Sequence, residues 1–278
     1  MKGNDLIAKL LDIAIEEDVG TGDITTDSII PAHSRAVAEM KMKADGVISG
    51  LSVAKLVYER FESGIVWKPS VKDGARVKKG DIILSIEANY LTLLLGERLS
   101  LNILQRMSGI ATETAKYVQA LQGTGTQILD TRKTVPGLRI LDKMAVKDGG
   151  GTNHRIGLYD LSMLKDNHIK VAGGITAAVK AVRSKIKPNI KIEVETTNIQ
   201  EVQEALNAGA DIIMLDNMDT HTMTEAVKLI GGKAKTEASG NMSLERLKEV
   251  AATGVNYISV GALTHSVKAL DMSMNIKN

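Results

Sequence analysis

The chain of 278 residues contains no cysteine. Disulfides, thiolate metal sites, iron–sulfur clusters and a cysteine nucleophile are thereby excluded, and a reducing, cytoplasmic location is the expectation. Aromatic residues make up only 3%, with one Phe and one Trp, too few for the stacking platforms on which single-stranded nucleic acid is bound. Net charge of one sign is also lacking: 35 basic residues stand against 33 acidic ones. Without an overall electrostatic footprint for nucleic acid, any cationic cluster has to be argued locally. No window of 18 apolar residues occurs, so no membrane span is expected. The N-terminal stretch interrupts its apolar stripe with Asp12, Glu16 and Glu17, so it lacks the apolar core of a signal peptide. What remains, 44% hydrophobic and 24% charged, is the composition of a soluble globular chain of one large or two modest domains.

Residues 5–18 carry Leu6, Ile7, Leu10, Leu11, Ile13 and Ala14 on one helical stripe, with Gly20 as a stop. The turn-rich segment 20–31 reads as a loop. From Ala36 to Ala44 apolar and polar residues alternate, the mark of a half-buried strand, and Asp45-Gly46 turns the chain. Residues 51–61 return to helical period with Ser52 as a candidate cap. Residues 71–87, with turns at Asp73-Gly74 and Gly80-Asp81, resemble the half-barrel of biotinyl and lipoyl carrier domains. The hairpin-tip lysine motif of those carriers is missing, which favours a structural use of the hairpin. Residues 89–122 read as two helices meeting near Ser108-Gly109, and 121–125 as a boundary turn.

Beyond that turn the pattern alternates. Strands are predicted at 126–131, 162–165, 190–196, 211–216, 234–239 and 256–261. Helices follow from Pro136 to Lys147 and over 174–186, 198–208, 219–230 and 242–252. Repeated β-then-α units argue a parallel sheet. With no Gly-rich dinucleotide fingerprint after the first strand, they favour a closed barrel over a doubly wound sheet. Alternating Leu270, Met272 and Met274 predict a final strand that returns to the first domain. His33 and His221 read as solvated. Met40, Met42, Met144 and Met163 read as core filler.

The strand ends carry the functional signal. They are Asp130/Arg132, Lys165, Glu195, Asp216, Ser239-Gly240 and Gly261, and α/β barrels bind ligands at that face. The stretch 129–169 gathers Arg132, Lys133, Lys143, Lys147, His154, Arg155 and Lys165 around Gly149–Gly151, a cationic pocket suited to a polyanion. Glu195 and Asp216, on separate strands, suit Mg²⁺ beside phosphate oxygens. Ser239-Gly240 and Gly261-Ala262 read as small turns before helices, able to present backbone N–H groups to a phosphate. The residues alone therefore describe a barrel enzyme, Mg²⁺-dependent, handling a phosphorylated sugar or nucleotide and a polyanionic second ligand.

These residues lie in longer motifs: EDVGTGDIT (17–25), ERLSLNILQRMSGIAT (97–112), DTRKTVPGLR (130–139), KDGGGTNHRIGLYD (147–160), KDNHI (165–169), EVET (193–196), LDN (215–217), EASGN (237–241) and SVGALTHS (259–266). Across nearly the whole chain the sequence resembles the quinolinate phosphoribosyltransferase family. The resemblance implies an N-terminal α/β sandwich domain over 1–109 and an incomplete α/β barrel of about six strands over 110–265. The tail 266–278 would return to the first domain. It implies a homodimer with each site at the subunit interface. Arg132, His154, Arg155 and Lys165 would hold the two carboxylates of quinolinate, and Arg106 would reach in from the partner subunit. Lys133 would sit near 5-phosphoribosyl 1-diphosphate. Glu195 and Asp216 would hold the ribose hydroxyls and the metal, with Glu195 preferred to Glu193 because it lies nearer the strand end. Ser239, Gly240, Gly261 and His265 would bind the 5-phosphate, and His168 would support Lys165. Lys133, Lys165, Glu195 and Asp216 are the expected catalytic set. The implied reaction yields nicotinate mononucleotide, diphosphate and CO₂ in de novo NAD biosynthesis. Two other readings stay open: a relative on this scaffold with another acceptor, such as the proteins associated with molybdate transport or a nicotinate-specific transferase, and a non-enzymatic carrier built on 71–87.

Overall fold

The structure of the protein, a computed structural model, describes residues 3–31 and 34–277; His33 lies outside them. The chain divides into two compact units. One comprises Met1–Ala115, Thr134–Gly150 and Leu263–Asn278; the other comprises Lys116–Lys133 and Gly151–Ala262.

The first unit opens with α1 (Gly3–Asp18), which buries Ile7 and Leu11. The segment read as a loop contains one helical turn, α2 (Thr26–Ile29), because the Asp23 carboxylate accepts the Thr25 and Thr26 N–H groups at 3.0 and 3.1 Å. Strand β1 (Arg35–Met42) follows the predicted alternation: Ala38, Met40 and Met42 are buried, Arg35 and Lys41 exposed. Then come β2 (Gly46–Val47), α3 (Leu51–Glu59), β3 (Val66–Pro69), β4 (Arg76–Val77) and β5 (Ile82–Asn89). Helix α3 is capped by Gly50 rather than Ser52, and the Asp73 carboxylate accepts its first N–H, from Leu51, at 2.9 Å.

The two helices expected over 89–122 are one, α4 (Tyr90–Ala120), of 31 residues. Gly109 does not break it. A Cβ there would lie 2.2 Å from the Lys268 carbonyl oxygen, so this glycine admits a close backbone approach. Following β6 (Gln127–Leu129), α5 (Arg139–Asp148) starts three residues later than Pro136, because Gly137 at φ +83° makes a turn. The final strand β12 (Met272–Lys277) returns as expected and pairs antiparallel with β1, Met274 opposite Met40. The sheet order is β12-β1-β5-β3. One face packs Met40, Met42, Ile86, Met272 and Met274 against Ala54, Tyr58, Leu101 and Leu104 of α3 and α4, an α/β sandwich.

The second unit holds six parallel strands: β6, β7 (Ser162–Leu164), β8 (Ile192–Thr196), β9 (Ile212–Asp216), β10 (Lys235–Ser239) and β11 (Tyr257–Ser259). Their order is β6-β11-β10-β9-β8-β7. The two edges are consecutive strands in the chain, the arrangement of a barrel with an open seam, and Thr152 bridges to Leu129 beside β6. Strands Ile212–Leu215 and Ile192–Val194 are buried throughout, as a parallel sheet covered by helices requires. Helix α6 (Asp166–Ala172) was not anticipated; it buries no residue, so no apolar stripe announces it. Helices α7 (Ile175–Arg183), α8 (Ile199–Asn207) and α9 (Thr220–Ile230) follow the predicted units. The last two are capped by Asn198 and Asp219, which accept N–H groups from Glu201 and Thr222 at 2.9 and 2.7 Å. Helix α10 (Leu247–Ala252) starts five residues later than expected, and α11 (Ala262–His265) is one turn. Among the described residues no helix is long and apolar enough to cross a membrane.

Candidate active site

The C-terminal ends of the parallel strands form a charged rim. Lys165, just past β7, donates from Nζ to Glu195 Oε2 at 2.9 Å. Its backbone N–H is accepted by His168 Nδ1 at 3.1 Å, so His168 braces the lysine at the start of α6. Asp216 ends β9 and accepts from Asn217 Nδ2 at 2.6 Å. Glu195 pairs with Met214 in the sheet, and Asp216 lies one pleat beyond Met214, so both carboxylates belong to the same face. Ser239 ends β10, and Gly240 follows at φ +96°. The expectation of a helix directly behind this turn is not met, since α10 opens only at Leu247. Gly261 does directly precede the single turn of α11.

Beside this rim stand two guanidinium groups. Arg155 donates to the Leu161 carbonyl at 3.3 Å and contacts Met163 Sδ at 3.6 Å; Met163 is thus wall rather than deep core. Burial, and then the positive charge of Arg132, push the Arg155 pKa below its ordinary value. Arg132 Nε is buried without a hydrogen-bond partner among the described residues. Two like charges held together with an unmet donor describe a place for an anion. Lys133 is exposed, its backbone N–H donating to Thr131 Oγ1 at 3.1 Å.

Below the rim His154, expected to hold quinolinate, and Glu193, expected behind Glu195, meet Glu237 in a cluster that sequence reasoning did not assemble. His154 Nε2 is 3.0 Å from Glu193 Oε2 and 3.3 Å from Glu237 Oε2, and both glutamates are buried. The three offer ligand atoms within 4.8 Å of one another. The Arg155 backbone N–H lies 2.6 Å from His154 Nδ1, and Nε2 lies between the two carboxylates, the position a cation would otherwise take. Burial disfavours a charged imidazole, but the two carboxylates prevail and push its pKa up to about 10. Burial and the Glu237 charge push Glu193 up to about 7. The buried Asp130 carboxylate accepts the His154 backbone N–H at 2.8 Å and fixes the loop. The available signal was alternation: Glu193 and Glu237 each stand two residues before a rim residue, on the same inward face. His221, in the first turn of α9, is exposed as expected.

Four other expected cations belong to the first unit. Lys143 and Lys147 lie on α5, Lys143 fully buried, and Gly149 packs against the Ala111 carbonyl oxygen rather than shaping a ligand loop. Arg106 is held by the buried Asp142 through Nε and Nη2, both at 2.9 Å. This leaves its Nη1 edge for a second carboxylate. His265 ends α11 beside Ser266 Oγ, 2.7 Å from Nδ1. In the second unit an open cleft of about 670 Å³, lined by Asp211, Lys233 and Lys235 among others, lies at the N-terminal ends of β9 and β10. In barrel folds that rim serves stability rather than chemistry.

The sequence matches two family descriptions: "Quinolinate phosphoribosyl transferase, N-terminal domain" over residues 23–108 and "Quinolinate phosphoribosyl transferase, C-terminal domain" over residues 110–275. A "Probable nicotinate-nucleotide pyrophosphorylase [carboxylating]" from Bacillus subtilis is 45% identical over 97% of this chain and 93% of its own length. "Quinolinate phosphoribosyltransferase [decarboxylating] 2b, mitochondrial" from Nicotiana tabacum is 43% identical over 97% of this chain and 82% of its own. The crystal structure of NadC from Streptococcus pyogenes superposes with a TM-score of 0.94 at 40% identity, over 98% of this chain and 96% of that one.

Proposed function

The chain belongs to the quinolinate phosphoribosyltransferase family, and on that premise we propose that it transfers a phosphoribosyl group from 5-phosphoribosyl 1-diphosphate to quinolinate, with decarboxylation. The products are nicotinate mononucleotide, diphosphate and CO₂. The observation that carries this reading is the Arg132–Arg155 pair with its buried, unmet Nε. Two carboxylates on adjacent carbons are the ligand such a pair suits, because each guanidinium presents a planar fork to one carboxylate.

In this reading Arg132, Arg155 and Lys165 hold the dicarboxylate, and the buried Glu193–His154–Glu237 cluster keeps the wall rigid beneath them. Glu195, Asp216, Ser239, Gly240 and Gly261 hold the phosphorylated ribose, with Lys133 toward the diphosphate. The carboxylate oxygens of Glu195 and Asp216, on one face of neighbouring strands, are the hard donors Mg²⁺ takes. Held there, Mg²⁺ would supply charge neutralisation for the diphosphate. As the C1–O bond to diphosphate lengthens, positive charge grows on the ribose, and Glu195 and Asp216 stabilise it electrostatically. The pyridine nitrogen forms the new bond to C1. The quaternised ring then accepts the electron pair of the C2–carboxylate bond as CO₂ leaves, and C2 takes up a proton. No nucleophilic side chain is needed. Arg106, with its Nη1 edge free, completes the dicarboxylate site from the second subunit of a homodimer.

The test is incubation of the protein with quinolinate or nicotinate, 5-phosphoribosyl 1-diphosphate and Mg²⁺, following nucleotide and CO₂. Equal amounts of nicotinate mononucleotide and CO₂ from quinolinate are expected. Product from nicotinate alone, or none from either, overturns the proposal.

A further inference from the structure

Asn217 has no role in the site described so far, yet it touches two parts of it. It is one of two non-glycine residues with positive φ among the described residues, at +54°. Asparagine tolerates that region better than most residues, but does not need it to follow a strand. Three contacts hold it there. Its Nδ2 donates to Asp216 Oδ2 at 2.6 Å. Since a carboxylate only accepts, the amide orientation is fixed: Nδ2 faces Asp216 and Oδ1 faces away. Its backbone N–H donates to the Ser239 carbonyl at 3.0 Å. Its Oδ1 occupies the space beside Gly240, where a Cβ would meet it at 2.1 Å.

We propose that Asn217 is a positioning residue that locks the carboxylate of Asp216 to the Ser239–Gly240 turn. Ribose and phosphate recognition are then set as one unit. The side chain reaches the carboxylate on one side and fills the glycine's missing Cβ on the other. Gly240 accordingly has two reasons to be glycine: its own φ of +96° and the room taken by Asn217. The turn continues into Asn241, also left-handed at φ +48°, so the backbone beyond Ser239 has little other support from regular structure. Asn217 braces it from the neighbouring strand. This inference rests on the ribose-phosphate reading of these strand ends.

The experiment compares wild type with Asn217→Gly, Asn217→Asp, Gly240→Ala and the double variant Asn217→Gly/Gly240→Ala. Glycine relieves the left-handed backbone, so Asn217→Gly removes only the side chain. Its KM for 5-phosphoribosyl 1-diphosphate should rise about tenfold, the scale of a charge-assisted hydrogen bond, while KM for quinolinate and Tm stay near wild type. Asn217→Asp tolerates the same backbone but turns an acceptor toward Asp216, and should raise that KM further. Gly240→Ala should cost less in the Asn217→Gly background than alone, because the clashing Oδ1 is gone. A wild-type KM for the donor in Asn217→Gly, equal rises in both KM values, or strictly additive effects overturn the proposal. If wild type itself forms no product, the ribose-phosphate reading fails instead, and the two failures are thereby distinguished.

Discussion

Arg155 stands half-buried beside a second guanidinium, a placement that costs free energy until an anion arrives. Arg155→Ala should therefore leave the fold intact and raise KM for quinolinate roughly 10- to 100-fold, the loss of charged hydrogen bonds; steady-state kinetics with a near-normal KM would refute its role. Beneath it, Glu193 and His154 give the protein a pH signature. Glu193 is raised from 4.5 to about 7, so the folded protein binds that proton more tightly than the unfolded chain and stability falls as pH rises across that window. His154 is raised from 6.5 to about 10, so its contribution is complete below 6.5 and is lost as pH rises through about 10. Both act in one direction, with a limiting slope of about 1.4 kcal/mol per pH unit for each proton. Glu193→Gln should flatten the stability profile between pH 5 and 9, read from urea midpoints. Parallel profiles for the two proteins would sink the assignment. At this scale the rim was legible, because charge at the end of an apolar strand needs a reason. The buried layer was legible only in part: Glu193 was weighed against Glu195, but Glu237 sits mid-strand and only the histidine from a distant loop brings the two glutamates together.

Period made most elements legible. Alternation announces β1, and the repeated β-then-α units announce α8 and α9, because local chemistry decides each one. The failures are places where tertiary contact decides. Gly109 looks like a helix break from its neighbours in sequence, yet its missing side chain admits the Lys268 carbonyl and the helix runs on. Gly109→Ala separates these readings. A helix-breaking glycine would be improved by alanine, by about 1 kcal/mol. Packed against an immovable backbone oxygen at 2.2 Å from the added Cβ, alanine should instead destabilise by ~1–3 kcal/mol. That is a Tm drop on the order of 5 °C. Gly64→Ala, which would project into open space, is the control and should change Tm little. Calorimetry that ranks Gly109→Ala above wild type would restore the broken-helix reading. Helix α6 went unseen for the opposite reason: with nothing buried, it left no apolar stripe to read.

For the whole molecule, the chain does not finish where its second unit does. Strand β12 returns to β1 and places Met272 and Met274 in the first core, a closure visible in the sequence as alternating apolar residues after the last β-then-α unit. Arg106 raises a larger question of the same kind. Asp142 holds it side-on, at 2.9 Å through both Nε and Nη2, so its position is set before any ligand arrives and one edge remains to engage a carboxylate. In the proposed homodimer that edge serves the partner's site, and two-fold symmetry makes each site depend on both chains. Arg106→Ala and Lys165→Ala homodimers should each be nearly inactive. When the two are unfolded together and refolded at equal amounts, half the dimers are mixed. Each mixed dimer owns one site with both Arg106 and Lys165 intact and one site with neither. Activity should recover to about a quarter of wild type per subunit under this symmetry. Sites built from a single chain contain one defect each whatever the mixture, so an assay that stays at the level of the separate variants would place Arg106 in its own subunit's chemistry or outside the site. Asp142→Asn in place of Arg106→Ala should give weaker loss and the same complementation, since it loosens the guanidinium without removing it.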